Sequence, residues 1–225
     1  MAEPLMQAPI GIFGGTFDPI HFGHLRLAEE LTESLALKQV VFIPTGWPPH
    51  RNRPQTPADH RLFMAELAIA GNPHFSVDAR EVRRTTPAYT IDTLIALREK
   101  YGDQQPICLL MGADAFLGLP WWRRWQELFD LAHIAVAYRP GFPRESWQNS
   151  MSALLRQTLE TRLGSVQTLH ESAAGRIITL SITALDISAT YIRDTLQAGR
   201  NPRYLLPDAV LDYIHTHQLY PANPE

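Results

Sequence analysis

Ile10-Gly11-Ile12-Phe13-Gly14-Gly15-Thr16-Phe17-Asp18-Pro19-Ile20-His21-Phe22-Gly23-His24 is the stretch on which the reading of this chain turns. It begins as a short apolar run, as a buried strand does, and breaks at a double glycine. From Leu25 onward Leu27, Ala28, Leu31 and Leu35 recur at helical spacing. Strand, glycine turn and helix in succession are the opening of an α/β unit. Glycine lets a ligand approach the backbone, and a helix N-terminus offers unpaired N–H groups and a positive dipole end, so the junction suits phosphate. His21 and His24 are three apart and are expected on one helix face, which Gly23 keeps low. The run is neither the G-x-G-x-x-G fingerprint nor a P-loop with its lysine.

Working outward, residues 40–43 (closed by Pro44), 107–111, 133–138 and 177–180 read as further buried strands, and 75–77 as a short one. Residues 58–70, 90–100, 147–163, 190–197 and 208–217 are helical in pattern. Strands that are continuous apolar runs, alternating with helices, predict a Rossmann-like, doubly wound parallel sheet covered on both faces, with a small C-terminal helical part. Residues 1–225 then form one domain, and about 186–225 are its helical subregion. Ligands of such sheets bind beyond the carboxyl ends of the strands, at a topological switch point. The glycine-rich or polar segments after Phe13, Ile43, Met111 and Tyr138 all fall there. Residues 45–57 hold four prolines, one glycine, Trp47 and Arg51, a loop long enough to be functional and a candidate to close over substrate.

Of the 225 residues, 45% are hydrophobic, enough for a sizeable core, while the net charge is only −3. That balance weighs against nucleic acid or an anionic membrane as partner. Residues 1–9 lack the pattern of a signal peptide, and no window approaches a membrane span, so the expected location is the cytoplasm. The single cysteine, Cys108, lies inside an apolar run and reads as a core thiol. His60, His74, His133, His170, His215 and His217 show no metal-ligand spacing, and no metal site is assigned. Nothing in the pattern indicates an oligomeric state.

His21-Phe22-Gly23-His24 resembles the H-x-G-H signature of the nucleotidylyltransferase superfamily, and the longer run from Gly14 to His21 resembles its bacterial nicotinate-nucleotide adenylyltransferase branch. Four later segments match that branch in order: Pro44-Thr45-Gly46-Trp47-Pro48-Pro49-His50-Arg51, Ala88-Tyr89-Thr90-Ile91-Asp92-Thr93-Leu94, Gly112-Ala113-Asp114, and Ile187-Ser188-Ala189-Thr190-Tyr191-Ile192-Arg193. Two positions depart from it. Arg51 stands where the family usually has lysine, a planar fork for a point charge. Ala189 stands where a second serine is usual, so one hydroxyl contact is lost.

The resemblance implies adenylyl transfer from ATP, carrying Mg²⁺, to nicotinate mononucleotide, giving deamido-NAD and pyrophosphate. It implies His21, His24 and Arg193 as catalytic residues. Gly14, Gly15, Thr16, Phe17, Gly23, Gly112, Asp114, Arg139, Ile187, Ser188 and Thr190 are implied at ATP. His50, Arg51, Tyr89, Thr90 and one or both of Trp121 and Trp122 are implied at the acceptor. Each has a plainer reading. Asp114 would cap a helix beginning at Ala115, Arg139 would be a solvated turn residue, and His50 an exposed loop residue. The tryptophans would be packing, Asp92 a helix cap, and the pairs Arg83-Arg84 and Arg123-Arg124 solvated faces. The alternatives of function are another phosphorylated acceptor such as phosphopantetheine, an RNA-binding module, and a nucleotide-binding regulator without catalysis. The first is opposed by the 89–94 and 48–50 segments, the second by the charge balance, the third by the intact His21, His24, Ser188 and Arg193.

Overall fold

The computed structural model describes residues 7–47, 54, 56–138, 146–147, 150–183 and 185–222. Six strands form one all-parallel sheet: β1 (Ile10–Gly15), β2 (Gln39–Pro44), β3 (Phe75–Val77), β4 (Ile107–Gly112), β5 (His133–Tyr138) and β6 (Ile177–Ser181). Their order is β3-β2-β1-β4-β5-β6, so the chain reverses its direction of winding between β1 and β4. That is the switch point, and its crevice opens beyond Gly15 and Gly112.

The apolar runs are continuous because both faces are covered. Val40, Phe42, Cys108, Leu110, Ala135 and Ala137 pack in one core with α1 (Phe22–Ser34), α2 (Ala58–Ile69), α7 (Thr168–Glu171), α8 (Ala189–Gln197) and α9 (Asp208–Thr216). Their alternates Val41, Ile43, Ile107, Leu109, Met111, Ile134 and Val136 pack in the other, with α3 (Thr90–Tyr101), α5 (Leu128–Leu131) and α6 (Ala153–Arg162). Successive side chains leave a strand on opposite faces, so every strand residue finds a buried place. Cys108 is fully buried and burial pushes its thiol up to about 12, as a core thiol requires.

Two of the apparently polar core positions are structural. Arg98 donates to the carbonyls of Leu131, Gly102, Gln105 and Ala173, joining the end of α3 to the entries of β4 and β5. The His133 ring is sealed between the Ser172 carbonyl (2.8 Å) and the Arg176 N–H (3.1 Å).

Three helix starts differ from the sequence pattern by two residues or more. The expected helix over 147–163 starts only at Ala153, where the Ser152 hydroxyl caps it by accepting from the Leu155 N–H. Trp147 belongs to the core instead, its ring against Phe116 and Tyr138. The helix after β4, α4 (Ala113–Leu117), has Gly112 as its N-cap, so Asp114 is a first-turn residue and not the cap. The first helix opens at Phe22, and His21 is its N-cap in extended backbone (φ −150°, ψ 170°).

Candidate active site

The turn between β1 and α1 places two histidines at the switch point. Because His21 caps the helix and does not belong to it, its ring folds back onto His24, with centroids 3.7 Å apart. The His21 N–H donates to His24 Nδ1 at 3.3 Å, which leaves the proton of neutral His24 on Nε2, the outer nitrogen. Phe17, 2% exposed, meets the His24 ring edge-on at 5.1 Å. Its side chain therefore buttresses the histidine, and its backbone is what a nucleotide can meet. A Cβ at Gly23 would lie 3.0 Å from the His21 ring, so glycine there makes room for the histidine. Burial holds His21 down at about 4 and His24 well below its ordinary value, His21 adding to the effect on His24. At neutral pH both are uncharged hydrogen-bond donors. Buried His21 Nδ1 has no partner among the described residues.

The second wall is the start of α8. Ser188 is its N-cap and accepts from the Tyr191 N–H at 3.1 Å, and the Ile187 carbonyl faces the Gly23 position. Arg193, one turn in, reaches back to the first wall. Its Nη1 donates to the Asp18 carbonyl at 2.7 Å and its Nη2 to the Thr190 hydroxyl at 3.2 Å, while its buried Nε has no partner among the described residues. Helices far apart in sequence thus bring His21, His24, Ser188, Thr190 and Arg193 around one turn.

The turn itself is fastened from below. Tyr220 donates its hydroxyl to Asp18 Oδ1 at 2.6 Å. Burial and the Asp18 carboxylate hold that phenol far above its ordinary range. Arg61, 1% exposed, donates to the carbonyls of Thr16 (2.6 Å), Thr56 (3.1 Å) and Gly46 (3.2 Å). One buried guanidinium so ties the glycine turn to both ends of the proline-rich loop. Asp18 belongs to the glycine-histidine motif, but Arg61 and Tyr220 have no motif signature of their own; the three act through contacts between distant segments.

Beside the turn, on the α3 side, lies a cavity of about 300 Å³. Gly14, Gly15 and Thr16 form its floor near the histidines, and Ile12, Ile43, Leu109 and Met111 give it apolar sides. Tyr89, Thr90, Trp122 and Gly112 line it too. The tryptophan pair divides: Trp122 lines the cavity, while Trp121 is 86% exposed. Asp114 is exposed on the first turn of α4. Glu81 also lines the cavity, accepting from the Thr93 hydroxyl at 2.6 Å, and burial pushes its carboxyl up. A Cβ at Gly46 would run into the Glu81 carbonyl, which is why that loop position is glycine. Arg123 and Arg124 are both exposed, as expected of a solvated face; Arg123 also lines the cavity, and Arg124 pairs with Glu127. His50, Arg51 and Arg139 lie outside the described residues.

A parallel sheet with a histidine-bearing phosphate turn at its switch point defines a nucleotide-binding α/β protein, and comparison gives the class. The chain belongs to the cytidylyltransferase-like family, whose model matches residues 12–195. Within it the chain groups with the nicotinate-nucleotide adenylyltransferases. It is 52% identical to a probable nicotinate-nucleotide adenylyltransferase of Dechloromonas aromatica, over 96% of this chain and 99% of the relative. It is 46% identical to one of Aeromonas salmonicida, over 97% and 100%. Among solved structures it is similar to Plasmodium falciparum nicotinic acid mononucleotide adenylyltransferase complexed with NaAD. The TM-score is 0.72 at 16% identity, covering 97% of this chain and 100% of that one, a likeness of fold.

Proposed function

We infer that the chain transfers the adenylyl group of ATP to nicotinate mononucleotide, forming deamido-NAD and pyrophosphate in NAD biosynthesis. The observation that carries this is the shared edge of two sites. Residues 14–16 border both the histidine turn, suited to a triphosphate, and an apolar cavity sized for a flat ring. The attacking group is the phosphate of the acceptor, already an anion, so no general base is needed. Catalysis is then alignment of that oxygen with the α-phosphorus and stabilisation of charge passing to the leaving pyrophosphate. His24 donates from Nε2 to the triphosphate, and His21 donates beside it. Arg193 and the α8 start, with Ser188 and Thr190, hold the leaving phosphates. The pyridine ring stacks on Trp122, and its carboxylate takes N–H groups at the start of α3. Arg51, His50, Asp114 and Arg139 belong to the same reading, at the acceptor and nucleoside ends.

Magnesium would enter as part of the ATP complex and, bound there, would neutralise phosphate charge. Among the described residues no group of three or more His, Cys, Asp or Glu side chains is placed to hold a metal ion. No helix among the described residues is long and apolar enough to cross a membrane, and we place the reaction in the cytoplasm.

The test is pyrophosphate release from ATP and Mg²⁺ with nicotinate mononucleotide, nicotinamide mononucleotide and phosphopantetheine in parallel. Release is expected chiefly with the first. Release only with phosphopantetheine would overturn the acceptor, and none with any would overturn the enzyme.

A further inference from the structure

Arg123 and Arg124 are neighbours in sequence but not in role. Arg124 adopts a left-handed backbone (φ 53°), which swings the chain round between them, and it spends its fork on Glu127. Arg123 turns the other way and lays its guanidinium over the Tyr89 ring, 4.7 Å from the centroid. Both residues line the cavity next to Trp122. Among the described residues Arg123 makes no ion pair. Stacking occupies the flat face of a guanidinium and leaves its N–H edge for another partner, so the contact presents a cation and does not consume it.

The rest of the cavity gives that cation its meaning. Among the described residues the walls are largely apolar, and the other ionisable side chain lining them besides Tyr89 is Glu81. Glu81 is 8% exposed and tied to Thr93, and burial disfavours its charge. A flat apolar slot takes pyridine rings without regard to a small substituent, since stacking and burial hardly distinguish a carboxylate from an amide. A guanidinium at its rim does distinguish them, because only the carboxylate forms a charge-assisted pair.

We propose that Arg123 is a specificity-determining residue, whose guanidinium, held by Tyr89, recognises the ring carboxylate of the acceptor and sets the preference for acid over amide. This rests on the acceptor assigned above and adds a side-chain contact to the backbone groups at the start of α3.

The test compares kcat/KM for nicotinate and nicotinamide mononucleotide at fixed ATP and Mg²⁺, in the full chain and its Arg123→Met and Arg123→Lys variants. Methionine keeps most of the stem and removes the charge. It is expected to lower kcat/KM for the acid about tenfold, or about 1.4 kcal/mol, while the amide changes less than about twofold. Lysine is expected to restore most of the preference. Because the rim is open to solvent, added salt should narrow the preference of the unmodified chain and not that of the methionine variant. Equal losses for both acceptors would reduce Arg123 to packing on Tyr89 and overturn the proposal, as would an unchanged ratio. Failure of the unmodified chain to use the acid at all would instead overturn the acceptor assignment, and the two failures are distinct.

Discussion

The two halves of the site are built in opposite ways. The histidine turn is held by polar bonds from remote parts of the chain: Tyr220 on Asp18, Arg61 on Thr16, Arg193 on the Asp18 carbonyl. The neighbouring cavity is shaped mainly by apolar packing, with Trp122 on the edge of the same core that covers α3. The difference follows from what each must hold. Charge moving along a triphosphate is stabilised only by donors fixed in advance, and directional bonds fix them. A flat ring needs a slot of the right width, and side-chain packing provides one.

Breaking the turn should therefore cost rate, and breaking the cavity should cost affinity. The largest effect is expected from His24→Ala. Loss of one preorganised donor lowers kcat by about 10²–10³, with KM for the acceptor changed little. Next comes Tyr220→Phe, which leaves the cavity untouched but strips a donor from a buried carboxylate. It should lower the free energy of unfolding by about 1.5–3 kcal/mol in a denaturant titration. It should also reduce kcat more than it raises either KM, because the turn it holds carries the histidines. A Tyr220→Phe variant of unchanged kcat would show that Asp18 needs no such anchor. The smallest effects separate the tryptophans. Trp122→Ala should raise KM for nicotinate mononucleotide by about tenfold, some 1.4 kcal/mol, with kcat nearly kept. Trp121→Ala, removing a ring already in solvent, should leave both constants alone. The reverse ranking of the two would move the ring to the other tryptophan.

The same contrast decides what the amino-acid sequence discloses. The sheet was legible because a doubly covered strand must be apolar along its whole length, as residues 107–111 are. The turn was legible as a motif, since its glycines and histidines are consecutive. Its supports were not, because the Tyr220 hydroxyl that holds the motif's Asp18 carboxylate lies 202 residues away and alone reads as ordinary. Charge pairs disclose exposure but not partners. Arg123 and Arg124 are both exposed, as the pair suggests, yet the backbone at Arg124 sends them to different neighbours. Trp147 read as the start of a helix because apolar spacing does not distinguish a helix residue from a core side chain on the segment before it. Asp114 read as a cap because the helix was placed two residues late, and Gly112 caps it.

The central claim is that adenylyl transfer occurs between the histidine turn and the cavity. It is tested most directly with ATP labelled at the α-phosphorus and nicotinate mononucleotide as acceptor, comparing the unmodified chain with His24→Ala. The account predicts that the label enters a dinucleotide in step with pyrophosphate release, and that the variant forms this product at least a hundredfold more slowly while still binding ATP. Label left in ADP or AMP with no dinucleotide, or a variant as fast as the unmodified chain, would contradict it.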